Sequence, residues 1–255
     1  MDRLVLWQFE AMVAQIAADT GVSDVQARAL AIDKSNELAE ALQDQLLYTW
    51  RRHFAALIQR TNSEISAEGP HRRDGHFPLK RSMGFIDIVG FTALAARLSP
   101  QELTRLLHDF EDTARDVVTS RGGRIVKTIG DAVMYIANDL STAANVVTAL
   151  MEEIQGGTHN LQLRASLVSG EVVSLSGDVF GPTVNLASRL VNMAPPGGIR
   201  MDGNTAALIK ASKVASKYVI HPCSKQEAKG LGEIIPWSLK RTEWVLAEKA
   251  GAEKK

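Results

Sequence analysis

The order in which apolar patterns follow one another between residues 84 and 168 constrains this fold more than any other feature. GFIDIV (84–89) reads as a short apolar strand. Ser99-Pro100-Gln101-Glu102 is a capping box with proline at the first helical position. It opens a helix with Leu103, Leu106, Leu107, Phe110, Val117 and Val118 on one face, ending near Gly122. RIVKTI and AVMYIA follow as two strands joined at Gly130-Asp131. A helix from Ser141 buries Val146, Val147, Leu150, Met151 and Ile154, stops at Gly156-Gly157, and leads into the strand LQLRASLV. The resulting β-α-β-β-α-β order is the split β-α-β, or ferredoxin-like, arrangement: an α+β fold with one antiparallel sheet and both helices on one face. A strand EVVSLS, a helix from Pro182 to Met193, and a tail with strands around KYVIHP and WSLKRTEWVLA extend that core.

Residues 1–66 contain almost no glycine or proline, and Leu6, Phe9, Met12, Val13 and Ile16 recur at helical spacing. Thr20-Gly21 interrupts this helical segment, and Ser23 with Gln26 three residues on restarts it as a capping box. The later part, LLYTWRRHFAALIQR, sets an apolar stripe beside a basic one, which predicts packing on a second copy or on the rest of the chain. Residues 67–80, AEGPHRRDGHFPLK, read as a linker. Residues 81–246 form the second domain and 247–255 a solvated tail.

Three stretches carry more polar chemistry than a core needs. In FIDIVGFTAL, Asp87 interrupts a buried strand, where an acid is costly unless paired or metal-bound; capping the next helix is the structural alternative. Gly90, Phe91 and Thr92 after it expose backbone N–H groups suited to phosphate. In RIVKTIGDAVMYIA, Gly-Asp is ordinary turn chemistry, yet the fold brings Asp131 toward Asp87, and two carboxylates at one sheet end invite Mg²⁺ between them. Lys127 stands four residues before Asp131, so a local ion pair is the competing reading. In GDVFGPTVNLASRL, Asn185 and Arg189 are stacked one helical turn apart. They are either surface groups or, aimed into a cleft, donors for a ribose and a phosphoryl group. Asp178 either caps its turn or joins that cleft.

Together these stretches resemble the catalytic domain of class III adenylate cyclases over roughly residues 81 to 245. The resemblance implies two metal-binding aspartates, Asp87 and Asp131, with the Ile88 carbonyl assisting one of two Mg²⁺ or Mn²⁺ ions. It implies adenine reading by Lys127 and Asp178, where GTP-using members usually carry glutamate and cysteine or serine. It implies that Asn185 orients the ribose, that Arg189 stabilises the transition state, and that Lys229 in AKGLGE contacts the triphosphate. The implied reaction is attack of the ATP 3′ oxygen on the α-phosphorus, giving 3′,5′-cyclic AMP and pyrophosphate. The implied assembly is a head-to-tail homodimer in which one chain supplies the metal aspartates and the other the remaining groups, so Lys127 and Asp131 would serve different ATP molecules. A guanylate cyclase and a catalytically silent nucleotide-binding regulatory domain are the competing functions.

Composition adds exclusions. Lys+Arg and Asp+Glu are each 29, so nothing in the total charge favours nucleic acid or an anionic membrane. Cys223 is the only cysteine, which excludes an internal disulfide and suits a reducing compartment. The start does not pattern as a signal peptide and no apolar run is long enough to span a bilayer, so a cytoplasmic location is expected. His53, His71 and His76 lie in or beside the linker. They read either as solvated side chains or as part of a pH-sensing input through the N-terminal helices.

Overall fold

The computed structural model describes residues 2–68, 79–157, 161–175 and 177–252. The chain divides into two compact units, Met1–Asp74 and Gly75–Lys255.

The first unit is a helical pair, α1 (Asp2–Thr20) and α2 (Asp24–Glu68). The Ser23 box forms: the Ser23 N–H donates to Gln26 Oε1 at 3.2 Å and the Gln26 N–H to Ser23 Oγ at 3.5 Å. Val13, Ile16, Ala27 and Ala31 are buried between the helices. Arg28 bridges the pair by a bidentate bond to Glu10 at 2.8 and 2.9 Å. His53 is exposed on α2, while His71 and His76 lie outside the described residues.

In the second unit, β1 (Leu79–Ile88) leads through α3 (Phe91–Ala95) to α4 (Pro100–Ser120). The hairpin β2 (Arg124–Ile129) and β3 (Ala132–Ala137) comes next, then α5 (Leu140–Gln155) and β4 (Leu163–Leu175). Beyond these lie β5 (Asp178–Phe180), α6 (Pro182–Met193), β6 (Ile199–Met201), α7 (Gly203–Lys210) and β7 (Tyr218–Pro222). A small pair, β8 (Gln226–Ala228) and β9 (Gly232–Ile234), precedes β10 (Trp237–Arg241) and α8 (Thr242–Ala252). The main sheet runs β2-β3-β1-β4-β6-β10-β7, with β5 folded back on the far end of β4. Of its pairings only β4 with β6 is parallel. The expected split β-α-β sheet is therefore present.

Strand alternation divides the core. Ile86, Ile88, Val133, Tyr135 and Leu163 face α4 and α5, while Met83, Phe85, Met134 and Val168 face α6. Both faces of the central strands are covered, which is why they read as unbroken apolar runs. The capping box of α4 is complete: Ser99 accepts from the Glu102 N–H, and Glu102 accepts from the Ser99 N–H at 2.8 Å. Those bonds hold the Glu102 carboxyl below the usual range.

Two segments differ from the pattern reading. The stretches read as two strands, LQLRASLV and EVVSLS, meet in one 13-residue strand, Leu163–Leu175, whose outer end pairs with β5. WSLKRTEWVLA is strand only to Arg241; Thr242 starts a helix, tied to α5 where Trp244 Nε1 donates to Glu152 at 2.6 Å and Arg241 lies 3.2 Å from Glu152. An apolar run of this length fits either period, and the partner surface on α5 decides.

Candidate active site

Asp87 is the penultimate residue of β1, in register with Ala132 of β3 and Arg164 of β4. Alternation places it with Met83 and Phe85 on the α6 face, and it is buried. Arg164 donates from Nε at 2.6 Å, and its Nη2 lies 2.5 Å from the same Oδ2. The charge that the strand could not bury alone is thus compensated by a cross-strand cation.

Asp131 follows Gly130, whose φ of 62° is the left-handed conformation the β2–β3 turn requires. Its carbonyl accepts from the Ile88 N–H at 3.3 Å, binding the turn to the end of β1. Burial pushes the Asp131 carboxyl above the usual carboxylate range, and the Asp87 carboxyl beside it pushes the same way. Among the described residues no cluster of three or more His, Cys, Asp or Glu forms a ready-made cage. Two adjacent carboxylates fit a hard divalent cation that takes its other ligands from backbone oxygen, water or phosphate, as Mg²⁺ does.

Lys127 reaches the α6 face through a β-bulge. Ile129 pairs with Ala132, Thr128 with Val133 and Lys127 with Met134, but Ile125 pairs with Tyr135, so Val126 is the extra residue. Strict alternation would put Lys127 on the same face as Ile125, against α4 and α5. The bulge lets Ile125 stay in that core while Lys127 points the other way. There its Nζ donates to Asp178 Oδ2 at 2.6 Å, so the ion-pair partner of Lys127 is Asp178 and not Asp131. Lys127 holds the Asp178 carboxyl below the usual range, helped by the Val179 N–H at 2.8 Å.

Asn185 and Arg189 lie on α6, which begins at Gly181 and Pro182 and buries Ala187, Leu190 and Val191 against the sheet. Both polar side chains are exposed, and neither has a hydrogen bond or ion pair among the described residues. Gly90, with φ 71°, precedes α3 without a side-chain cap. Phe91 packs on the core, and Thr92 is exposed, so this loop offers backbone rather than side-chain donors. Lys229 is exposed in the β8–β9 turn, off the main sheet, while Ile234 of β9 packs on the α6-face core.

Arg164 was not singled out from the sequence. Its signal was an arginine one residue into a buried strand, LRASLV, on the face opposite Leu163 and Ala165.

The chain matches the family described as the adenylate and guanylate cyclase catalytic domain over residues 80–241, and it belongs to that family. It is 33% identical over 246 residues to an adenylate cyclase of Glutamicibacter nicotianae, covering 93% of this chain and 60% of that protein. An adenylate cyclase of Streptomyces coelicolor is also 33% identical, over 91% of this chain and 71% of its own length. Among solved structures, the catalytic core of a rhodopsin-guanylyl cyclase with converted specificity, in complex with ATPαS, superposes with a TM-score of 0.58 at 25% identity. That match covers 64% of this chain and 97% of the other. This chain thus spans about three fifths of the length of the Glutamicibacter relative.

Proposed function

We propose that the chain is an adenylate cyclase that forms 3′,5′-cyclic AMP and pyrophosphate from ATP. The observation that carries this reading is the Lys127–Asp178 pair, presented by the bulge on the same sheet face as Asp87. An ammonium donor beside a carboxylate acceptor matches a ring nitrogen beside an exocyclic amine, which adenine has and guanine presents in the opposite sense.

Asp87 and Asp131 would hold two Mg²⁺ or Mn²⁺ ions, with the Ile88 carbonyl assisting. Bound there, the ions would acidify the 3′-hydroxyl and neutralise phosphate charge. Arg164, which donates to Asp87, would supply a cation beside that site for phosphate oxygens. Adenine would take over the donor and acceptor that Lys127 and Asp178 now give each other. Asn185 would orient the ribose, and Arg189 would meet charge developing on the α-phosphoryl oxygens. The N–H groups after Gly90, and Lys229, would contact phosphates. The sites would be shared across a homodimer, one chain giving the aspartates and the other the α6 and base-reading groups, with regulatory input through α1 and α2.

The test is specificity exchange. Lys127→Glu with Asp178→Cys should lower ATP turnover and raise GTP turnover relative to it. An unchanged ATP:GTP ratio in a folded double variant would refute base reading by this pair.

A further inference from the structure

Helix α6 carries Asn185 and Arg189, yet it begins without a side-chain cap. Gly181 stands at the cap position and Pro182 follows it, and the Val184 and Asn185 N–H groups donate to the Gly181 carbonyl at 3.1 and 3.3 Å. Thr183, in the same turn, reaches out of the helix. Its hydroxyl donates to the Glu171 carbonyl of β4 at 2.7 Å.

Glu171 lies where three strands meet. It pairs with Lys80 of β1. Two residues further on, Val173 pairs with Phe180, the first rung between β4 and β5, and Leu175 pairs with Asp178 at the last. The Thr183 bond therefore ties the first turn of α6 to the backbone on which Asp178 is built. The strand makes room for it: a Cβ at Gly170, the residue before Glu171, would stand 2.6 Å from Thr183 Oγ1 and 3.1 Å from its Cγ2. A glycine inside a strand weakens it, and close approach of another group is a reason to have one there. Ala187, Leu190 and Val191 already hold the rest of α6 on the sheet. What the Thr183 bond fixes is where the first turn sits along β4.

We propose that Thr183 is a positioning residue for the cyclase reaction. It holds Asn185 in place relative to Asp178, so that the ribose and the adenine of one nucleotide are gripped together. This role rests on the ATP function proposed above.

Steady-state kinetics of the full chain with ATP, beside thermal unfolding, test it. Thr183→Val keeps the shape and loses the donor. It should lower kcat about tenfold, with KM changed less than about threefold because Lys127 and Asp178 remain, and with Tm within about 4 °C of wild type. Thr183→Ala should behave alike, and Thr183→Ser, which keeps the hydroxyl, should retain most of the rate. In an Asn185→Ala chain, Thr183→Val should cost little more, because it acts through Asn185. Wild-type kcat in both donor-less variants, an equal loss in Thr183→Ser, or full additivity with Asn185→Ala would overturn the positioning role. A large fall in Tm in both donor-less variants would also overturn it and assign the bond to folding. An inactive wild-type chain would overturn the cyclase function itself, whereas an active one with unaffected Thr183 variants would overturn this role alone.

Discussion

Asp87 and Arg164, each on a buried strand, form a charge set with Asp131 of the β2–β3 turn. A buried aspartate beside a second carboxylate is tolerable here because Arg164 contacts it directly, while burial, with Asp87 adding to it, pushes the Asp131 carboxyl above the usual range. Arg189 is the opposite case, an exposed arginine on α6 whose side chain has no hydrogen bond or ion pair among the described residues. A side chain that stabilises nothing in the free fold and meets charge only in the transition state should matter to rate and not to stability. Arg189→Ala is therefore expected to lower kcat about 10²- to 10³-fold with KM changed much less and Tm unchanged. Steady-state kinetics beside thermal unfolding check both halves. A large loss of Tm would assign Arg189 a structural role instead.

The hairpin β2–β3 shows which parts of the site were legible in the residues and which were not. Its two strands and the Gly-Asp turn follow from apolar runs around a glycine, and Asp131 sits where that turn puts it. The bulge at Val126 was not legible, because RIVKTI fits a plain strand and only the competing demands of Ile125 and Lys127 on opposite faces require an extra residue. For the same reason the strand pattern alone left Lys127 open between Asp131 and other partners, and only the family resemblance set it with Asp178: the face it occupies depends on that one residue. The Asp87–Arg164 contact was hidden because it is a register fact between strands 77 residues apart. Helix α8 was misread as strand because its docking on Glu152 of α5 is tertiary. In the central strands, Gly84 leaves space for the buried Tyr135 hydroxyl to donate to the Ser166 carbonyl at 2.7 Å. A Cβ at Gly84 would stand 1.8 Å from that carbonyl oxygen, whereas one at Gly203 meets only Trp237 at 3.4 Å. Gly84→Ala should cost at least about 3 kcal/mol in denaturant unfolding, and Gly203→Ala close to nothing. Equal stability of the two variants would show that the strand crossing can relax.

At the scale of the whole molecule, the family and the ferredoxin-like sheet were readable from element order and three motifs, because each motif sits at an element end that the order fixes. The use of the N-terminal unit was not, since two helices that share a small apolar cluster among their described residues define no function by themselves. Sharing of sites between copies is testable without a structure of the assembly. An Asp87→Ala chain mixed with an Arg189→Ala chain should recover about a quarter of the wild-type specific activity, because half the dimers are mixed and each has one intact site. No recovery, with mixed dimers shown to form, would place each site within one chain. The most direct test of the central claim is cyclic-nucleotide production by the purified chain supplied with ATP or GTP and Mg²⁺ or Mn²⁺, with Asp87→Ala as control. Cyclic AMP from ATP in clear excess over cyclic GTP from GTP, abolished in the control, is the predicted result. Preference for GTP, or no product from a folded, dimeric wild-type chain with either metal, would contradict it.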